Sequence, residues 1–210
     1  SANDEFTRCD RILYDQILQK TIPNGVTPWA FCFSDSHKIE VMDISYTMMY
    51  MKDLSIDEFR RSMERGEFFS VSRYSNGIEL NGMKEWPEFD NDKVETYLKN
   101  PMPMITRVTV DQKNDKISIE GTDFDRITWV SNGNVIKREE NIKSGKATLD
   151  LHASDLLDEP SLYVRFYVTG SDGICYSQPF VLSVAGEEFD KVDVPETHDL
   201  STFLRAFVTV

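Results

Sequence analysis

Asp35-Ser36-His37 is the one cluster in this 210-residue chain that joins a carboxylate and an imidazole at the end of an apolar run. In extended backbone, residues i and i+2 leave on the same face, so Asp35 and His37 can reach one metal site while Ser36 points away. Carboxylate oxygen and imidazole nitrogen suit zinc, manganese or iron. Strand C-terminal ends are also where α/β barrels place their chemistry. A plainer reading of the same residues has Asp35 capping the next turn and His37 solvated. Asp150-Leu151-His152 repeats the spacing, but on a segment that reads as a surface strand, and His198 sits in an acidic stretch. Neither is expected to form a site. The chain has no Gly-rich phosphate loop after a strand and no Gly-x-Ser-x-Gly elbow. Cys32 lies inside an apolar run without a nearby basic group, which favours an inert thiol.

The element that must position Asp35 runs from Val26 to Phe33 and carries Trp29, Phe31 and Phe33. It is too short for a good helix and reads as a buried strand of the parallel-sheet type. Before it, Ile12, Leu13, Ile17 and Leu18 put an apolar stripe on a helix running roughly from Glu5 to Lys20, and Asn24-Gly25 turns the chain. After it come a strand at Tyr46 to Met51, a capping box at Ser55-Ile56-Asp57-Glu58, and a helix whose Ile56, Phe59 and Met63 share a face. Gly66 is that helix's natural stop, and Phe68 to Ser72 follows as a strand. This order has α/β character and predicts two or three nearly parallel strands, with the chain beginning part-way through a larger domain.

Between Asn81 and Pro103, Trp86-Pro87, Asn100-Pro101 and Met102-Pro103 break the periodicity, which reads as a linker over 81–102. Beyond it, strands are expected at Ile105–Val110, Lys116–Glu120, Arg126–Val130, Asn134–Arg138, Lys146–Leu151, Ser161–Thr169 and Gly173–Ser183. Asn114-Asp115, Asn132-Gly133, Ser144-Gly145 and Asp172-Gly173 mark the reversals. Short strands at this spacing predict an antiparallel immunoglobulin-like β-sandwich over 103–185. On its sixth strand Leu162, Val164, Phe166 and Val168 are the expected core face, with Tyr163, Arg165 and Tyr167 opposite. An acidic tail and an apolar end occupy 186–210.

Composition narrows the function classes. Lys and Arg number 23 against 36 Asp and Glu, a formal charge of −13 that repels nucleic-acid backbones and anionic membranes. No apolar run approaches the ~18 residues of a spanning helix. Three widely spaced cysteines, Cys9, Cys32 and Cys175, form neither a disulfide framework nor a zinc knuckle, so a reducing, cytoplasmic setting is expected, with export of a parent protein left open.

Several of these segments together resemble the closing stretch of PHP (polymerase and histidinol phosphatase) phosphoesterases. They are Tyr14-Asp15 before Leu18, the run from Trp29 to His37, Tyr46-Thr47-Met48-Met49-Tyr50, Leu54 to Phe59, and Gly66-Glu67-Phe68-Phe69-Ser70-Val71-Ser72. In that family a late barrel strand ends in Asp-x-His, and some members append a β-sandwich with Tyr-Val-Arg and Ser/Asn-x-Pro strands. Tyr163-Val164-Arg165 and Ser177-Gln178-Pro179-Phe180 look like those elements. The resemblance covers most of 5–183 and departs from the family at Lys38-Ile39-Glu40, where smaller residues are usual.

The resemblance implies that Asp35 and His37 are ligands of a polynuclear site holding zinc, manganese or iron. The family's His-x-His motif and its other His and Glu ligands would lie upstream. Residues 1–80 would then be an incomplete TIM-like barrel, giving an α+β chain overall. A phosphorylated small molecule would be the parent's substrate, the piece alone would be inactive with no or weak metal binding, and its exposed remnant could self-associate. The alternative is a non-catalytic glycan- or protein-binding β-sandwich module.

Overall fold

The structure is a computed structural model, and it describes residues 10–34, 37, 45–73, 79–80, 83–84, 101–171, 173–183 and 189–190. Among these the fold is antiparallel β-sheet with two α-helices. Helix α1 (Asp10–Thr21) runs into a 3-10 turn at Ile22–Asn24, which Gly25 closes in the left-handed region at φ 78°. Strand β1 (Ser45–Met49), helix α2 (Ile56–Arg65) and strand β2 (Phe68–Ser72) follow. A short hairpin, β3 (Glu79–Leu80) and β4 (Met83–Lys84), stands apart from the larger sheets. Then come β5 (Met104–Asp111), β6 (Lys116–Thr122), β7 (Arg126–Ser131), β8 (Asn134–Glu140), β9 (Lys146–Asp150), β10 (Tyr163–Thr169), β11 (Ile174–Tyr176) and β12 (Phe180–Val181).

The larger sheet has the order β1-β2-β11-β10-β7-β8, with β12 also on β10, and the smaller is β5-β6-β9. Between them lies one core, built from Phe69, Val71, Trp129, Phe166 and Cys175 of the large sheet and Ile105, Ile117, Ile119 and Leu149 of the small one. The strands on either side of the expected linker share the large sheet, because β2 pairs with β11 through Ile174 to Ser72, Cys175 to Val71 and Tyr176 to Ser70. Asn132-Gly133 turns β7 into β8 with both residues at positive φ (47° and 82°), the geometry of the two-residue hairpin turns that match strand twist.

Several expectations are corrected. The strands β1 and β2 are antiparallel, with Ser45 opposite Ser72 and Met49 opposite Phe68. The amide of Tyr50 donates to the Glu67 carbonyl at 2.9 Å, so the hairpin closes just past the strand ends. Helix α2 is therefore an excursion at one end of the hairpin and not a crossover that would return the chain parallel. Its capping box forms in half: the Ser55 hydroxyl accepts from Glu58 N, but the Glu58 carboxylate accepts from Lys52 N. Ile56 and Phe59 are exposed, and Ser62 is the buried member of the helix.

The segment expected as a buried strand at Val26–Phe33 forms no ladder. It lies over the outer face of the large sheet, where alternation turns Thr47, Phe68 and Ser70 away from the core. Its backbone groups bond side chains instead: Ala30 to Ser70 and Gln178, and Cys32 to Thr47. Phe31 stacks on Phe68 with centroids 4.5 Å apart, while Phe33 stays 69% exposed.

Helix α1 covers the neighbouring part of the same face. Its buried residues are Asp15 and Leu18, followed by Ile22, whereas Leu13 of the expected stripe is more than half exposed. Leu18 and Ile22 pack on Tyr163, and Ile12 packs against the group around Tyr167. Every residue of β10 is consequently buried, including the face expected to lie opposite the core.

Candidate functional site

Three of the segments noted for their motifs meet on the outer face of the large sheet. The Asp15 carboxylate accepts from Arg165 Nε at 2.8 Å and from the Tyr163 hydroxyl at 2.6 Å, and Arg165 Nη2 bonds its second oxygen. Both charged side chains are 3% exposed. Burial opposes the Arg165 charge, but Asp15 outweighs it and holds the guanidinium above its ordinary pKa. Burial first, and the Asp15 charge second, push the Tyr163 phenol upward. Three hydrogen bonds converge on the Asp15 carboxylate away from water, which makes the group a clamp between helix and sheet.

Beside it, Gln178 grips the segment that leads toward Asp35. Its Oε1 accepts from Ala30 N at 2.9 Å and its Nε2 donates to Ala30 O at 2.8 Å. Gln178 can reach out because the ladder breaks there: the Ser177 hydroxyl accepts from Phe166 N at 2.8 Å and Ser177 N donates to Phe166 O. The run Ser177-Gln178-Pro179 thus separates β11 from β12, which were expected as one strand.

Of the two predicted ligands, Asp35 lies outside the described residues, and so does His198. His37 is described and exposed. His152 is also exposed, its Nε2 2.9 Å from Asp115 Oδ2. Asp150 is turned to Lys116 at 3.0 Å, and its carboxyl is held below the usual range by the His152 backbone N–H and then by that lysine. Among the described residues no group of three or more His, Cys, Asp or Glu could hold a metal ion. The Cys32 thiol is pushed up by burial, and Cys175 from its ordinary 9.0 to about 12 for the same reason, so neither is a ready nucleophile.

A cleft of about 460 Å³ opens next to Gln178, between the start of β2 and the edge strand β5. Trp29, Tyr50, Phe68, Phe69 and Phe180 supply aromatic wall, and Arg65, Glu67 and Arg107 supply charge. Trp29 sits against Gly66, where a Cβ would come within 2.9 Å of its ring. Tyr50 is anchored from its far end, its hydroxyl donating to the Ile105 carbonyl. None of these residues stood out in the sequence as part of a site. The local signals were Trp29, Tyr46-Thr47-Met48-Met49-Tyr50, Gly66-Glu67-Phe68-Phe69 and Ser177-Gln178-Pro179-Phe180, read there as strands, a helix stop and segments of the family resemblance.

Among the described residues no helix is long and apolar enough to cross a membrane. No protein-family model, curated protein or solved structure matches the chain.

Proposed function

We propose that this chain is the C-terminal part of a PHP-type metal-dependent phosphoesterase, with phosphate-ester hydrolysis belonging to the intact parent and not to residues 1–210 alone. The observation that supports the reading is the meeting of the segments that resemble the family. Tyr14-Asp15 is clamped to Tyr163-Val164-Arg165, Ala30 is gripped by Gln178, and Phe68–Ser72 pairs with Ile174–Tyr176. Scattered over the sequence, they form one contact region that fixes the root of the Asp35-x-His37 segment.

In this reading the strands from β5 onward are an immunoglobulin-like sandwich, and the antiparallel hairpin of β1 and β2 extends its larger sheet in place of the parallel barrel strands the family would supply. Asp35 and His37 supply two donors, whereas a catalytic zinc takes three protein ligands and a structural one four. Two donors do not hold an ion tightly, among the described residues no group of three or more could, and in this reading the remaining ligands lie upstream. The substrate is a phosphorylated small molecule.

The test begins with the coding sequence upstream of Ser1, which should encode His-x-His and further His and Glu ligands. The parent should hydrolyse a phosphomonoester with added manganese, and Asp35→Ala or His37→Ala should lower the rate about 10–100-fold. A parent indifferent to both changes removes these residues from the site. An upstream region without such ligands would leave the non-catalytic binding module as the better reading.

A further inference from the structure

The cleft beside Gln178 has the construction of a small-molecule site. Its volume, about 460 Å³, falls within the roughly 300–1,000 Å³ usual for such sites, and its lining combines aromatic residues with charged and polar ones. Its walls are fixed from outside. Trp29 fills the space over Gly66, Tyr50 is tied to Ile105, and both amide atoms of Gln178 are taken by Ala30.

The charges at the cleft do not cancel. Glu67 is paired twice, with Arg61 at 2.6 Å and Arg65 at 2.9 Å, and Arg61 also holds Glu58 at 2.9 Å. Two guanidiniums therefore face two carboxylates. Arg107 is left over. Its cross-strand neighbour on β6 is Glu120, but Glu120 pairs with Lys146 at 3.2 Å, and among the described residues Arg107 makes no ion pair. The register of β5 against β6 shifts between Ile105 and Arg107, and Thr106, Arg107 and Val108 all line the cleft. A regular strand would turn consecutive side chains to opposite faces; a bulge re-aims them, and bulges at sheet edges commonly border sites. In a chain of formal charge −13, Arg107 lines the cleft without an ion pair among the described residues, a surplus positive charge that favours an anion.

We infer that this cleft binds a small organic anion, a planar or ring-shaped body seated among Trp29, Tyr50 and Phe180 with one anionic group on Arg107. The site does not depend on the phosphoesterase reading. A guanidinium forks onto carboxylate and phosphate alike, so either group can serve as the anion. The aromatic wall requires the ring.

The test is calorimetric titration of the full chain with phenyl phosphate, benzoate, phenol and inorganic phosphate. Saturable single-site binding of phenyl phosphate, benzoate or both is expected, with phenol and inorganic phosphate about tenfold weaker or worse. Binding of only one ring anion identifies the group that Arg107 reads. Arg107→Gln, at an exposed position, should weaken the ring anions about tenfold and leave the circular dichroism and Tm unchanged. Arg65→Gln should weaken them less, since Arg65 is engaged by Glu67. Absence of saturable binding up to about 10 mM overturns the inference. So does phenol or inorganic phosphate binding as tightly as the ring anions, or Arg107→Gln binding them unchanged.

Discussion

Asp15 on α1 and Arg165 on β10 stand 150 residues apart in sequence and form a buried ion pair, with both side chains 3% exposed and the Tyr163 hydroxyl on the same carboxylate. Deleting one member strands the other away from water. Asp15→Ala should therefore destabilise the protein by about 3–5 kcal/mol, measured by urea unfolding. The paired change Asp15→Leu with Arg165→Met should cost clearly less than the sum of the single changes, because no charge is then left uncompensated. Additive costs would show that the clamp is not a coupled unit.

Gly66 meets two demands at once. It closes α2 at φ 67°, donating its amide to Met63 O, and it leaves room for the Trp29 ring. Gly66→Ala combines left-handed strain with a clash, and an unfolding cost of about 1–3 kcal/mol is expected. Pairing Gly66→Ala with Trp29→Leu should recover the part due to the clash, leaving the strain. A Gly66→Ala protein as stable as the original would remove both arguments.

Gln178 replaces a strand ladder for the segment over the sheet. Gln178→Leu keeps the bulk and removes both hydrogen bonds to Ala30, leaving the Ala30 amide without its partner at a cost of about 1–3 kcal/mol. The local readout is hydrogen exchange at the Ala30 amide. It should accelerate in the variant while amides of β7 and β10 stay protected. Unchanged exchange at Ala30 would mean that the segment is held by its other contacts alone.

Alkaline pH should loosen the core. Cys175 carries a folded pKa of about 12 against an ordinary 9.0, raised by burial, and the phenols of Tyr14, Tyr50 and Tyr163 are raised chiefly by burial as well. A group that ionises more readily when unfolded favours the unfolded chain once pH passes its unfolded pKa. The stability contribution is complete below about pH 9 and is lost as pH rises from there toward about 12. Urea midpoints should fall between pH 8 and pH 10.5, and Cys175 should react with a thiol reagent at pH 8 only after unfolding. Rapid labelling of Cys175 in the folded protein would contradict its burial.

Local structure was legible in the sequence where a residue's own chemistry sets its backbone. Ser55 caps α2 and Gly66 ends it, Asn132-Gly133 turns β7 into β8, and the strands from β5 to β10 fall within a residue or two of the alternating runs. The motif Asp35-Ser36-His37 was legible as a motif, with Asp35 and Ser36 outside the described residues. What the sequence could not decide was how the layers meet. Tyr163 and Arg165 read as the outward face of a half-buried strand, and only the docking of α1 covers them. Apolar Val26–Phe33 has the composition of an inner strand, yet side chains of Thr47, Ser70 and Gln178 satisfy its backbone in place of a neighbour. The cleft, too, exists only after β2, β5 and the Ser177–Phe180 break are brought together. Capping, turns and alternation depend on a few adjacent residues, so the sequence alone determined them. Which face is covered, and which charge finds a partner, depends on contacts between segments far apart in the chain, and those only the tertiary structure decided.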